Sequence, residues 1–280
     1  MIERNLYQIW YQGENNITKQ KYIKNMTQWK LLNPDWNYTL LDERDLRNTC
    51  ELYSKECLNA YIRTENMHTR IDLGRLVKIY QTGGMNVDMD MYILRPISYQ
   101  QEVQEFLNNN SKKYNFAVSS LKTLNTFENI ILHGKTTSSF NNAMTVSSKG
   151  NPVLKYVIDK YIEIILSLAE TNGGMMYVDK TTGPRNFNRF VTEGVELFQD
   201  DVYFKVFDGE IFEPCTGDHM CAITDKTIAI HNFDWSWIDP RYAVIFKFYL
   251  QNRLLVYIFI LFVLYRIIKM ILPSKTRIRL

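Results

Sequence analysis

The segment from residue 68 to residue 90 constrains the fold more than any other part of the sequence. Apolar residues at the spacing of one helix face predict a helix over residues 68–82 that packs on a core: Leu73, Leu76, Val77 and Tyr80. Gly83-Gly84 ends this helix, because glycine adopts positive φ readily. Met85-Asn86-Val87 follows as a short strand, with Asp88-Met89-Asp90 at its end. This succession predicts an α/β unit.

The remaining sequence repeats this alternation. We predict helices over residues 18–32, 46–66 and 152–169, and strands over residues 6–11, 37–41, 202–207 and 227–231. Asp208-Gly209 predicts a hairpin between residues 202–207 and 210–212. Such alternation indicates an open, mostly parallel, Rossmann-like sheet flanked by helices. Ligands of these sheets bind beyond the carboxyl ends of the strands, where Asp88 and Asp90 are expected.

Asp88 and Asp90 are suited to bind a cation. Residues i and i+2 of an extended chain point the same way, so the two carboxylates converge and repel each other. A divalent cation relieves that repulsion, and carboxylate oxygens favour Mg²⁺ or Mn²⁺. An Asp-x-Asp pair also occurs on solvated surfaces, and the pair alone does not decide between the two interpretations.

Charge and composition argue against a nucleic-acid-binding protein. The chain has 33 Lys and Arg against 30 Asp and Glu, and the basic residues are interleaved with acidic ones. A nucleic-acid-binding protein usually has a clustered basic face. With 280 residues, of which 46% are hydrophobic, the chain is long enough for one large domain.

The four cysteines give no clear metal or disulfide pattern. Cys215, His219 and Cys221 are close in sequence, but their spacing matches no standard zinc site. We therefore expect all four cysteines, which include Cys50 and Cys57, to be unpaired thiols in a reducing compartment.

The C-terminal region is apolar, and it suggests a division into a main domain (1–246) and a tail (247–280). Leu254–Tyr265 are twelve consecutive apolar or aromatic residues, fewer than the roughly 20 that span a bilayer. Flanking Arg253, Arg266 and Lys269 can extend such a helix by snorkelling. We favour membrane attachment through residues 248–272 over a buried terminal helix. The basic end of the chain favours the cytosolic side, and a lumenal, Golgi or ER placement stays open.

Short motifs in a fixed order resemble the DXD-motif glycosyltransferases of family 32. They are Asn5 to Trp10, Trp29, Asn33-Pro34-Asp35-Trp36-Asn37-Tyr38, Arg70 to Arg75, Tyr80, Gly83 to Asp90, Thr182-Gly183-Pro184, and His231 with Ser236-Trp237. Leu6-Tyr7 and Met85-Asn86 depart from the Ile-His and Ile-Tyr of the family pattern. The two acidic positions of the DXD triplet are kept.

The resemblance implies a GT-A fold and a nucleoside-diphosphate-sugar donor, either GDP-mannose or a UDP-sugar, with Mn²⁺ or Mg²⁺. It implies that Asp90 binds the metal directly and that Asp88 is shared between the metal and the ribose. Trp237 joins these two aspartates as a candidate catalytic residue. Position at the end of a strand makes His231 a candidate third ligand, with a satisfied core histidine as the alternative.

Further residues are expected at the donor. Asp72 and Arg75 resemble the pair that orients the ribose and the acidic triplet, although residues three apart also form simple helix ion pairs. Trp10 resembles the aromatic residue that packs on the base, and a core tryptophan is the alternative. Ser236 and Trp237 are expected to bind the β-phosphate. Thr182-Gly183-Pro184 is expected to shape the acceptor side.

The expected activity is transfer of a hexose, such as mannose, with retention of configuration, to a glycan or glycolipid. The alternatives are a catalytically inactive protein that binds carbohydrate or nucleotide sugar, and a metal-dependent nucleotide hydrolase that uses the same acidic pair.

Overall fold

The computed structural model describes residues 1–121, 140–215, 221–234, 236 and 238–271. The chain divides into two compact units, Met1–Ile238 and Asp239–Leu280. The sequence predicted a division after residue 246. The first unit contains every candidate site residue named above.

Two sheets form the first unit. In chain order, the strands are β1 (Asn5–Ile9), β2 (Asn37–Leu41), β3 (Gly84–Val87), β4 (Met91–Ile93), β5 (Tyr114–Ser120), β6 (Phe140–Ser147), β7 (Val202–Phe207) and β8 (Ala229–His231). The larger sheet has the order β2-β1-β3-β6-β5-β7, and β4 pairs with β8 in the smaller one. β1 is parallel to β2 and β3, β5 is parallel to β7, and β6 is antiparallel to both neighbours. The predicted α/β fold with a mostly parallel sheet is confirmed.

Helices connect these strands. In chain order, they are α1 (Gln20–Leu32), α2 (Glu43–Tyr53), α3 (Lys55–Arg63), α4 (Met67–Thr82), α5 (Gln101–Leu107), α6 (Pro152–Ser167), α7 (Gly174–Lys180), α8 (Pro184–Leu197), α9 (Gly209–Phe212), α10 (Pro240–Gln251) and α11 (Arg253–Ile271). Short 3₁₀ helices lie at Glu14–Asn16 and Ile97–Tyr99.

Helices cover both faces of the large sheet. Because alternate strand residues face opposite sides, Tyr7, Phe116 and Val118 pack in one core with α2, α3, α4, α6 and α8. Leu6 and Met85 pack in the other core, which includes residues of α1 and α5. The resulting three layers are those expected of a sheet whose strands are buried on both faces.

Local signals explain where α4 begins and ends. The Asn66 side chain accepts a hydrogen bond from the backbone N–H of Thr69 and caps the first turn. Gly83 ends the helix at φ 66°, and Gly84 follows at φ 113°. The predicted helix, glycine break and strand are therefore present, and they deliver Asp88 to the end of β3.

The predicted hairpin at Asp208-Gly209 is wrong. Residues 209–212 form the short helix α9, and the Asp208 side chain accepts from the Glu210 N–H at 2.8 Å. β7 pairs in parallel with β5. Asp-Gly signals a tight turn, but aspartate is also a favoured helix N-cap, and here the cap prevails.

The predicted state of the cysteines is half right. Cys50 and Cys57 are buried free thiols. Cys215 and Cys221 form a disulfide, which contradicts the expectation of unpaired thiols. Their separation of six residues carries no recognisable signature, and the pairing depends on an isolated antiparallel bridge between the two residues.

The second unit contains α10 and α11. Asp239 caps α10 by accepting from the Arg241 N–H at 2.9 Å, and burial of Leu250 marks its apolar side. Most large apolar side chains of α11 are exposed. Across residues 1–271, leaving aside the gaps noted above, no helix is both long and apolar enough to cross a membrane.

We expect Gly84→Ala to destabilise the fold more than Gly150→Ala. A Cβ at Gly84 would lie 2.3 Å from the carbonyl oxygen of Asn5 in the neighbouring strand, and φ is also positive there. Gly150 has φ 70° with no described atom within 4 Å of such a Cβ. Backbone strain alone predicts a loss of about 1–2 kcal/mol at Gly150. Because the clash adds to this strain, we expect Gly84→Ala to lower the free energy of unfolding by about 3 kcal/mol.

Denaturant unfolding of both variants and the wild type measures the difference. Equal losses in the two variants would contradict the close packing of β3 on β1.

Candidate active site

Three side chains able to bind a metal meet beyond the ends of two strands. Asp88 and Asp90 follow β3, and His231 is the last residue of β8. One ligand atom from each lies within 4.8 Å of the others. His231 Nε2 is 3.5 Å from Asp90 Oδ1. The small β4–β8 sheet brings His231 here, because His231 pairs with Met91. The three residues predicted as metal ligands therefore do converge.

Side chains from β1 and α1 fix the backbone of the acidic triplet. Gln8 Nε2 donates to the Asp88 carbonyl at 3.2 Å. Asn25 Nδ2 donates to the carbonyls of Met89 and Met91 at 2.9 and 2.7 Å. Trp29 Nε1 donates to the same Met91 carbonyl at 2.8 Å. Gln8 and Asn25 were not predicted, since a single polar residue in a strand or helix carries no sign of its distant partner.

Asp72 and Arg75 form a buried ion pair that continues to the triplet. Arg75 Nη2 donates to Asp72 Oδ1 at 2.6 Å, and Nη1 donates to Asp88 Oδ1 at 2.7 Å. Asn142 Nδ2 and Thr182 Oγ1 also donate to Asp72, each at 2.8 Å. Both oxygens of Asp72 are thus bonded inside the protein, and Asp72 orients Arg75. Thr182, predicted at the acceptor side, is a buried part of this network.

Burial and neighbouring charges shift the titration of the three candidate ligands. Burial raises the pKa of Asp88 to about 6, although the charge of Arg75 opposes this. Burial also acts to raise the pKa of Asp90, but His231 lowers it below its ordinary value. Burial disfavours a charged His231, yet Asp90 and Glu213 raise its pKa well above the usual value. Asp90 and His231 therefore each favour the charged form of the other.

The chain after β8 folds back on the site. The N–H of Asp234 donates to Asp90 Oδ2 at 2.8 Å. The carboxylate of Asp234 accepts from Lys21 Nζ at 2.6 Å and from the hydroxyl of Tyr22. Phe233 has φ 50°, rare for a bulky residue, and its ring centroid lies 4.1 Å from that of His231. This segment joins the acidic triplet to α1.

A further histidine, His68, lies beside the site. Burial lowers its pKa, while the charge of Asp72 and a hydrogen bond with the backbone of Ser236 act to raise it. Ser236 is exposed in a turn, and Trp237 lies outside the described residues. His68 was not predicted, although it is four residues before Asp72 and therefore shares its helix face.

Trp10 packs beside the triplet without being fully buried. Its ring centroid lies 5.1 Å from that of Tyr22, at an interplanar angle of 50°. Both rings belong to a small cluster with Met89 of the triplet. Trp10 Nε1 is buried with no hydrogen-bond partner in the described structure. The predicted contact with a nucleotide base remains a prediction.

Comparison with protein families identifies the region that contains the triplet. Residues 19–117 match the family model for the glycosyltransferase sugar-binding region containing DXD motif. This range includes Asp72, Arg75, Asp88 and Asp90. The resemblance seen in the sequence is confirmed over this region. No curated protein sequence matches the chain.

The chain is similar to solved structures of glycosyltransferases. PaToxG glycosyltransferase has a TM-score of 0.50 and 16% identity, over 70% of this chain and 70% of its own. The UDP-bound glycosyltransferase domain from the YGT toxin gives 0.45 and 11%, over 74% and 80%. A glycosyltransferase involved in glycosylation of the major capsid of PBCV-1 gives 0.45 and 9%, over 88% and 98%. Residues 19–117 thus resemble a DXD-containing sugar-binding region, and the chain shares the fold of PaToxG glycosyltransferase.

We expect Asp72→Asn to lower the free energy of unfolding by about 3 kcal/mol, because Arg75 would stay buried with one carboxylate partner instead of two. Asp159→Asn removes one partner of the exposed Lys155–Asp159 pair and is the matched control. Its expected loss is below about 1 kcal/mol. Urea titration of both variants measures the difference. A loss in Asp72→Asn as small as the control's would show that the buried pair does not stabilise the fold.

Proposed function

We propose that this protein is a metal-dependent, retaining glycosyltransferase that moves a hexose from a nucleoside-diphosphate sugar to a glycan or glycolipid. The observation that carries the proposal is the convergence of Asp88, Asp90 and His231 within 4.8 Å. Asp88 and Asp90 lie in residues 19–117, which match the family model for the glycosyltransferase sugar-binding region containing DXD motif, and this match supports the proposal.

The residues at this point fit a divalent cation. Two carboxylates and an imidazole form a donor set that suits Mn²⁺, and Mg²⁺ is the alternative. The mutual repulsion of the two carboxylates makes a positive partner favourable there. When bound, such a cation would neutralise charge on the departing diphosphate.

The protein's own groups would hold and orient the donor. Asp90 and His231 are the direct ligands in this proposal. One carboxylate oxygen of Asp88 accepts a hydrogen bond from Arg75. The carboxylate would also be shared between the cation and the ribose. Arg75 adds a fixed positive charge, and Trp10 offers an aromatic face for the base. Ser236 and Trp237 would donate hydrogen bonds to the β-phosphate.

We infer front-face attack from the family resemblance. The acceptor hydroxyl oxygen bonds to the anomeric carbon on the face from which the diphosphate leaves. The bond between that carbon and the phosphate oxygen breaks, and the hydroxyl proton passes to the departing diphosphate. The protein's contribution is then positioning and charge stabilisation in a closed site. The proposed donor is either GDP-mannose or a UDP-sugar.

Asp90→Ala should lower transfer by about 10²- to 10³-fold, because it removes the carboxylate that pairs with His231 at the proposed cation site. Asp201→Asn, an exposed residue on the turn before β7, is the control and should keep full activity. The assay follows sugar transfer and nucleotide release separately, with Mn²⁺ and a panel of UDP- and GDP-sugars. Full transfer by Asp90→Ala in chelator-treated buffer would refute the proposal.

The same panel separates the alternatives. Nucleotide release without transfer to any acceptor would indicate a hydrolase. Saturable binding of a donor with neither product would indicate an inactive binding protein.

Cation affinity should fall as the pH is lowered from 7 to 5. The pKa of Asp88 is raised to about 6, so its carboxylate becomes protonated in this range and loses its ligand capacity. The raised pKa of His231 acts in the same direction, because its proton must leave before the imidazole can bind a cation. For each proton that the cation must displace, the cation affinity falls roughly tenfold for each unit by which the pH is lowered. Calorimetry of Mn²⁺ binding in buffers of different ionisation enthalpy measures both effects. A pH-independent affinity would contradict them.

Placement in the cell also remains a proposal. Disulfides persist in oxidising compartments, so the Cys215–Cys221 bond supports a lumenal or external location over the cytosolic one predicted from the basic end. Alkylation of native protein before and after reduction tests this placement. Membrane association through residues 248–272 stays a prediction of the sequence.

A further inference from the structure

Glu213 is a fully buried carboxyl group next to the proposed cation site. It follows α9 directly, and its Oε2 lies 3.1 Å from His231 Nδ1. No sequence motif identified it. Acidic residues are rarely buried completely unless a specific partner requires them.

The backbone around Glu213 holds it in register with His231. The carbonyl of Ile211 in α9 accepts from the N–H of Ile228 at 2.7 Å, just before β8. Glu213 and the strand that ends in His231 are therefore tied together within a few residues of both side chains. This main-chain link keeps the two segments that carry the carboxyl group and the imidazole side by side.

The ring of His231 is fixed on several sides. Glu213 lies at Nδ1, and the Phe233 ring packs on its face at 31° between planes. Main-chain pairing with Met91 holds the strand beneath it. Nε2 is left pointing to Asp90 Oδ1, 3.5 Å away. Only one ring nitrogen thus faces the acidic triplet.

A neutral imidazole carries one proton, and its position decides which nitrogen can bind a cation. A carboxyl oxygen at Nδ1 accepts a hydrogen bond from the Nδ1–H form. In that form Nε2 has its lone pair available. Carboxylates that bond the second nitrogen of metal-binding histidines fix the tautomer and the ring orientation in this way.

We propose that Glu213 is a positioning residue that holds His231 in the Nδ1–H tautomer and presents Nε2 to a divalent cation shared with Asp88 and Asp90. This inference rests on the proposed function, because it needs the cation site. Glu213 itself touches neither the cation nor the donor. Its effect on the cation passes through His231.

Mn²⁺ affinity of the full chain, measured by calorimetry or by electron paramagnetic resonance of the free ion, tests the role. Glu213→Leu should weaken binding about 10- to 100-fold, in the direction of His231→Ala. Glu213→Gln keeps an oxygen that accepts from Nδ1–H, and it should retain most of the affinity. Glu210→Gln is the control on the same short helix. The carboxylate of Glu210 accepts from Thr224 and Lys226, so the affinity should not change.

A direct measurement keeps the test valid if Glu213→Leu fails to fold. Imidazole nitrogen shifts of ¹⁵N-labelled wild-type protein with saturating Mg²⁺ report the tautomer of His231. We expect the proton on Nδ1. A proton on Nε2 would overturn the inference.

The outcomes separate this inference from the proposed function. A wild-type chain that binds no Mn²⁺ would remove the cation site itself. A wild-type chain that binds Mn²⁺, is weakened by His231→Ala and is unaffected by Glu213→Leu would overturn the role of Glu213 alone. Equal losses in Glu213→Gln and Glu213→Leu would also overturn it, since the retained hydrogen bond would then have no effect.

Discussion

The buried guanidinium of Arg75 is the interaction on which the site depends. It binds Asp72 on its own helix and Asp88 beyond the neighbouring strand, so it fixes the end of β3 relative to α4. Two carboxylates without this cation would repel each other and would be costly to bury. The group that orients the acidic triplet therefore also stabilises the carboxylates of Asp72 and Asp88.

The parts of the fold that could be predicted are those in which the signal is local. The apolar stripe of α4, the glycines after it and the Asn151 cap of α6 each lie within a few residues of the structure they determine. The antiparallel placement of β6 and the pairing of β4 with β8 depend on residues far apart in sequence. At Asp208-Gly209 two local signals compete, and only the tertiary pairing of β7 with β5 decides between them.

The residues of the site also divide into those that the sequence predicted and those that it did not. Asp88, Asp90 and His231 were predicted because a family motif and the ends of strands marked them. The residues that support them were not predicted, because Gln8, Asn25 and Asp234 act through contacts with residues 64 to 144 positions away. Such side chains look ordinary in sequence, and only the folded chain gives them a role.

The contact between Lys21 and Asp234, 213 positions apart, has a consequence for how the molecule is made. All six strands of the large sheet lie before residue 208, whereas His231 and Asp234 come later in the chain. A nascent chain can therefore complete that sheet before its binding site exists. Local opening of the segment after β8 would likewise separate His231 and Asp234 from the acidic triplet while the sheet stays folded, so the candidate site can be lost without loss of the fold.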